Sequence, residues 1–180
     1  MTKKVHLIIA GILLLMLAVV ALLSFGVYNE TYALPGDYVD NQSVDHSSGS
    51  FLIDDVVRYP AKANVTALNL SDRNIKVGVA AQTYELNFGN VPQNITVRKF
   101  INLGNGEKGP VRICVKARGN IGPHVYFNPG DNIILSGGEQ KDLEVAFNST
   151  RTDLYSGEID LIVRKPKYGA LDYFLFLIRC

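Results

Sequence analysis

The chain has 180 residues, 47% hydrophobic and 19% charged, with a formal net charge of +1. Lys3 and Lys4 are the only charges before Glu30. The remainder from Val5 onward therefore carries +1 minus 2, about −1, and offers no basic footprint for nucleic acid. Outside an apolar N-terminal run, about 150 residues remain, one domain's worth of chain.

That run is Leu7 to Leu23, and Ser24 to Val27 extend it to roughly 20 residues, enough to cross a bilayer core. It has no polar face, which argues against a buried soluble helix. A secretory signal has a shorter core of about 7 to 15 residues and a small-x-small exit. Here only Ser24-Phe25-Gly26 approximates such an exit, and no lipobox cysteine follows. The sequence predicts a retained transmembrane anchor over residues 1–28 in contact with lipid through 7–27, with a cleaved signal as the alternative. Lys3 and Lys4 stand on one side; Glu30, Asp37, Asp40 and Asp45 stand on the other, with no Lys or Arg before Arg58. By the positive-inside rule the N-terminus is cytoplasmic, and residues 28–180 lie outside a single-pass membrane protein.

With 14 Asn and 16 Ser plus Thr in the chain, about one Asn-x-Ser/Thr triplet is expected by chance. Six occur, at Asn29, Asn41, Asn64, Asn69, Asn94 and Asn148, all after the apolar run. Clustering of these residue types in the turns of β-rich proteins inflates the chance rate, yet the excess still points to an N-glycosylated surface protein, archaeal or eukaryotic.

Residues 29–50 are polar, turn at Pro35-Gly36 and have little to bury, so they read as a linker or stalk. From Phe51 onward, short strands alternate with turns. In DLEVAF, Leu143, Val145 and Phe147 share one face; in GEIDLIV, Ile159, Leu161 and Val163 do; in VRICVKA, Val111, Ile113 and Val115 do. Period two marks strands with one buried face. Further strands are expected at 51–58, 63–68, 75–80, 84–88, 95–102, 124–127, 132–135 and 172–179, the last closing a sheet. About ten strands and no second long helix predict an all-β, antiparallel, Ig-like sandwich behind one transmembrane helix. Its organisation is read as lead-in strands over 51–81 and the sandwich over 82–180, with a boundary near Ala80 to Gln82.

Catalytic and cofactor motifs are weak. GNGEKG at 104–109 matches G-x-G-x-x-G, but Pro110 and a strand follow where a phosphate site needs a helix. It reads as a hairpin loop whose glycines supply positive φ. His6, His46 and His124 form no zinc-ligand spacing, and no G-x-S-x-G elbow exists. Asp54, Asp55 and Asp131 lack the spacing of a calcium loop and read as solvated turn or strand-face residues. No catalytic, cofactor-binding or metal residue is assigned. Cys114 and Cys180 are the only cysteines, both on the outer side, where oxidation is permitted. One bridge would close a loop of about 66 residues, worth roughly 3 to 4 kcal/mol. By alternation Cys114 sides with Arg112 and Lys116, and Cys180 with Phe174, Phe176 and Ile178. A bridge, two free thiols and an intermolecular link through Cys180 all stay open.

LNFGNV at 86–91, FINLGN at 100–105, LSGGEQKDLEVAF at 135–147 and YSGEIDLIV at 155–163 resemble Ig-like domains of the abnormal-spindle and major-sperm-protein type. In that family an FG opens the domain, an Asn follows the next strand, and a Gly-containing turn precedes a strand ending in Phe. The family's Pro after that strand is replaced here by Asn148. The resemblance implies a seven- or eight-stranded sandwich that binds other proteins and carries no catalytic residues. An archaeal surface-fibre subunit of the TasA type is similar in its sandwich and N-terminal hydrophobic segment. Two functions are thus expected: a membrane-anchored, non-catalytic structural or protein-binding component of the cell envelope, partnered by other envelope or membrane proteins; or a secreted fibre subunit that forms homo-oligomers by strand pairing.

Overall fold

The computed structural model describes residues 2–29, 34–67, 84–178 and 180. The apolar run forms helix α1, Thr2–Asn29. Its stretch Ile8–Val27 is 20 residues long, about 30 Å at 1.5 Å per residue, the thickness of a bilayer's hydrocarbon core.

Nine strands follow among the described residues: β1 (Ser43–Ser48), β2 (Leu52–Thr66), β3 (Leu86–Pro92), β4 (Val97–Gly104), β5 (Val111–Gly119), β6 (Val125–Asn128), β7 (Asn132–Leu135), β8 (Gln140–Phe147) and β9 (Leu154–Pro166). They make two sheets. The larger has the order β1-β2-β9-β5-β7, with β3 also on β2, and the smaller has the order β4-β8-β6. All pairings are antiparallel except β2 with β3. The protein is thus all-β behind one apolar helix.

The segments expected as separate strands at 51–58 and 63–68 merge into β2, which pairs with β9 from Leu52↔Pro166 to Asn64↔Leu154. β2 continues through Pro60 because its other edge changes partner there. β1 ends its pairing at Arg58 and β3 begins at Ala61, so a residue without an N–H costs no ladder bond. The core is built from the faces that alternation singled out. Leu143, Val145 and Phe147 of β8 face Ile159 and Leu161 of β9 and Val111, Ile113 and Val115 of β5 in one buried cluster. Phe147 also packs on Phe88 at 5.4 Å and Tyr155 at 5.5 Å between ring centroids.

Three local expectations are overturned. The 104–109 run is no hairpin loop: β4 pairs with β8 and β5 with β7 and β9, so the run crosses between sheets. None of its glycines has positive φ. Asn105 organises it instead. It is buried, donates from Nδ2 to the carbonyls of Gly109, Leu135 and Ser136, and accepts the Glu107 N–H on Oδ1. The expected strand at 172–179 is a 3₁₀ helix, Gly169–Leu177, because its apolar residues face α1 and no free edge of the larger sheet. Asp54, read as solvated, is buried beside Arg164, Oδ1 to Nε 3.2 Å. The expected strand at 75–80 and the boundary at Ala80 to Gln82 lie outside the described residues.

Gly119 and Gly157 face each other across β5 and β9. Gly119 has φ +86°, and a Cβ on Gly157 would lie 1.9 Å from the Arg118 carbonyl oxygen. Gly157→Ala is therefore expected to lower unfolding free energy by about 3 kcal/mol, measured by denaturant titration of the full chain in detergent with circular dichroism.

Candidate functional site

β2 runs from Leu52 beside the end of α1 to Thr66 at the opposite end of the sandwich, about 45 Å at 3.3 Å per residue. The acceptor triplets divide along this axis. Asn29 closes α1, Asn41 is exposed just before β1, and Asn69 lies outside the described residues. Asn64, Asn94 and Asn148 converge at the far end. Asn94 occupies the β3–β4 turn with φ 62°, a left-handed conformation that Asn tolerates. Its N–H donates to the Ser149 carbonyl at 3.0 Å. Asn148 Nδ2 donates to Thr96 Oγ1 at 2.8 Å, the hydroxyl of the Asn94 triplet. Asn64 Nδ2 donates to Asn90 Oδ1 at 2.9 Å. Gln93 ties the same end together, its N–H on the Thr66 carbonyl and its Nε2 on that of Thr150, each at 3.0 Å. The side-chain amides of Asn64 and Asn148 are thus engaged, while Asn94 is exposed.

The outer face of the larger sheet is not solvated. Leu52, Asp54, Val56 and Arg58 of β2, Glu158, Asp160, Ile162 and Arg164 of β9, and Arg112 and Cys114 of β5 are all buried. Segments from before β1 and after β9 cover them. Leu34 packs on Val56, Cys114 and Ile162. Cys114 and Cys180 are bridged, Cα to Cα 5.0 Å over a separation of 66, and Arg112 Nη1 donates to the Ile178 carbonyl at 2.5 Å.

At the centre of this face stand two carboxylates between two guanidinium groups. Glu158 and Asp160 are two apart on β9, on one face, each with 0% relative exposure. Arg58 Nε reaches Glu158 Oε1 at 2.5 Å; Arg118 donates to Glu158 Oε1 at 2.7 Å and to Asp160 Oδ2 at 2.8 Å. A strap, residues 35–39, closes over them. The Val39 N–H donates to Glu158 Oε2 at 2.9 Å, Arg118 Nη1 to the Pro35 carbonyl at 2.6 Å, and Arg58 Nη2 to the Asp37 carbonyl. The Tyr38 ring lies 5.5 Å from the Arg118 guanidinium carbon, a cation–π contact. Sequence reasoning missed this network. The available signal was the mixture on each strand's outer face, where Leu52, Val56, Cys114 and Ile162 punctuate the charges; a solvated face has no need of them.

Burial alone raises both carboxyl groups, but they part company. In Glu158, hydrogen bonds from Asp160, Arg58, the Val39 N–H and Arg118 outweigh burial and bring it down to about 2. In Asp160, burial and the hydrogen bond with Glu158 outweigh Arg118 and push it up to about 7. A carboxyl titrating near neutrality is a frequent mark of acid–base chemistry. Here the group is buried beneath the strap, with Arg118 Nε on its Oδ2.

A cleft of about 440 Å³ opens between the sheets. Val57, Tyr59, Ile113, Leu161 and Val163 of the larger sheet form its floor, and Ile101 and Leu103 of β4 form one wall. Asp55, Glu107 and Lys165 ring the mouth, with Lys165 Nζ 2.6 Å from Glu107 Oε1 and 3.7 Å from Asp55 Oδ2. Its size and apolar lining suit a small hydrophobic ligand or an inserted side-chain row. His124 stacks edge-on to Tyr155 at 4.6 Å between centroids. Among the described residues no group of three or more His, Cys, Asp or Glu side chains could hold a metal ion. No family model matches the chain, and no curated protein matches it.

Asp160 makes stability depend on pH in a defined direction. The folded chain holds a proton that the unfolded chain releases above about 4, so folding loses stability as pH rises from about 4 to about 7. Glu158 acts oppositely and only below its ordinary 4.5. Denaturant titrations of the full chain are expected to show falling stability between pH 4.5 and pH 7, and Asp160→Asn is expected to flatten that slope.

Proposed function

We propose that the protein is a single-pass, membrane-anchored component of the cell envelope that presents a glycosylated Ig-like β-sandwich and acts by binding other proteins, without catalysis. The observation that carries this reading is the polarity of the molecule. An apolar helix of bilayer length leaves one end of the sandwich, and three glycosylation triplets gather at the other. A glycan at Asn94 projects into solvent away from the membrane. Asn105 supports the likeness to the abnormal-spindle and major-sperm-protein domains, because the Asn after the strand ending FINLG has a buried role in linking the two sheets. Protease added to intact cells is expected to remove residues 34–180 while sparing α1. Asn94→Gln is expected to lower the mass of the surface protein by one glycan; complete protection from protease overturns the reading.

A second reading, a secreted fibre subunit, draws support from β4. Among the described residues β4 pairs only with β8, and its free edge borders the apolar cleft, an arrangement suited to strand addition by a second copy. N-terminal sequencing of the mature protein separates the two: a start near Val27 favours the fibre, and an intact Met1 or Thr2 favours the anchor.

A further inference from the structure

The end of the sandwich nearest α1 is built differently from the rest of its surface. The last turn of the helix is packed against protein: Val27 is buried with Leu52, Leu171, Leu175 and Ile178, and Leu23 and Phe51 join them. The fit at Gly26 is close, for a Cβ there would lie 2.7 Å from the Phe51 ring. A bilayer-length span over Ile8–Val27 places Val27 at the boundary between acyl chains and headgroups, and Leu23 about 6 Å deeper. The partners of Leu23 and Val27 therefore stand at the level of that boundary. Three of them belong to the C-terminal 3₁₀ helix or the residue just after it. That helix, GALDYFLFL, carries a single charge, Asp172. It is held down by the bridge from Cys114 to Cys180 and by Arg112 on the Ile178 carbonyl. Yet Tyr173 on it stands 84% exposed, and Tyr168, which caps its start, 56%.

We infer that the C-terminal 3₁₀ helix, Gly169–Leu177, is a membrane-interface element that rests in the headgroup layer of the leaflet from which α1 emerges, with Tyr168 and Tyr173 as its anchors. The inference rests on the anchor reading above. The surface is continuous with the membrane span through Leu23 and Val27, which selects the bilayer over a second protein as its occupant. Tyrosine suits such a place, with an apolar ring for the acyl boundary and a hydroxyl for the headgroups. Lys167, exposed on the approach to the helix, adds a cation at the same level. The sandwich then sits directly on the bilayer, with Asn64, Asn94 and Asn148 at its far end.

The chain contains no tryptophan, so a single introduced one reports its own surroundings. Three variants of the full chain, Tyr173→Trp, Tyr126→Trp and Leu14→Trp, are reconstituted into phosphatidylcholine vesicles, with lipid brominated either near the glycerol end or near the middle of its chains as quencher. Tyr126 lies on the smaller sheet and is 61% exposed. Expected are a blue-shifted Tyr173→Trp emission that loses most of its intensity to the shallow quencher, and a Tyr126→Trp emission that loses none. Leu14→Trp, quenched by the deep bromines, confirms insertion of α1. If Leu14→Trp is quenched and Tyr173→Trp is not, the inference fails and the anchor stands. A Tyr173→Trp emission that is blue-shifted but unquenched means that protein covers the site, which also overturns it. Failure of Leu14→Trp to be quenched overturns anchor and inference together.

Discussion

Two acids that cannot be left without partners set the terms for the larger sheet. Glu158 and Asp160 lie on β9, the strand between β2 and β5, where both sheet faces are covered and water is excluded. A lone carboxylate there would cost several kcal/mol. Arg58 and Arg118 answer from the neighbouring strands, but each arginine has more donors than the carboxylates can take. The surplus goes to the carbonyls of Pro35 and Asp37. The strap is therefore required by the charge network, and the network is kept dry by the strap. Removing one arginine would leave a buried acid uncompensated, a loss on the order of 3–5 kcal/mol in comparable settings, and would release the covering residues as well.

The inward faces were legible from the sequence because β strands alternate and water is a strong discriminator. Leu143, Val145 and Phe147, or Ile159 and Leu161, have one possible destination. Alternation is silent about the opposite face. Glu158, Asp160 and Arg164 look the same in a string of letters whether water or Arg58 and Asp54 satisfies them. The difference depends on segments a hundred or more residues away in the chain. Composition is equally silent about residues 34–48. Their side chains bury little, but their backbone supplies the strap and β1, and hydrogen-bonding capacity has no compositional signature. The C-terminal run was misread for a related reason. Its apolar residues answer to the end of α1, a partner that the pattern of one segment cannot reveal.

The sandwich is also unequal along its length. Far from the helix, β3, the Phe88–Phe147–Tyr155 aromatic cluster and the joined loops fill the space between sheets. Nearer the helix the smaller sheet narrows and the cleft beside β4 remains open. Rigidity and vacancy are thus separated within one domain. The filled end suits the display of modified side chains, and the open flank suits the admission of a partner's strand or an apolar group.

The strap also fixes how far the domain can travel. Drawn out, the residues 34–50 would reach roughly 55 Å at about 3.3 Å each. Laid along the sheet and returned as β1, they add almost nothing to the height of the sandwich. They amount to coiled slack held by hydrogen bonds to Glu158, Arg58 and Arg118. A pull on the far end of the sandwich would load these bonds and the packing of Phe51 on Gly26 as well as the long β2–β9 ladder. The segment is in this sense a short connection with a longer one folded inside it.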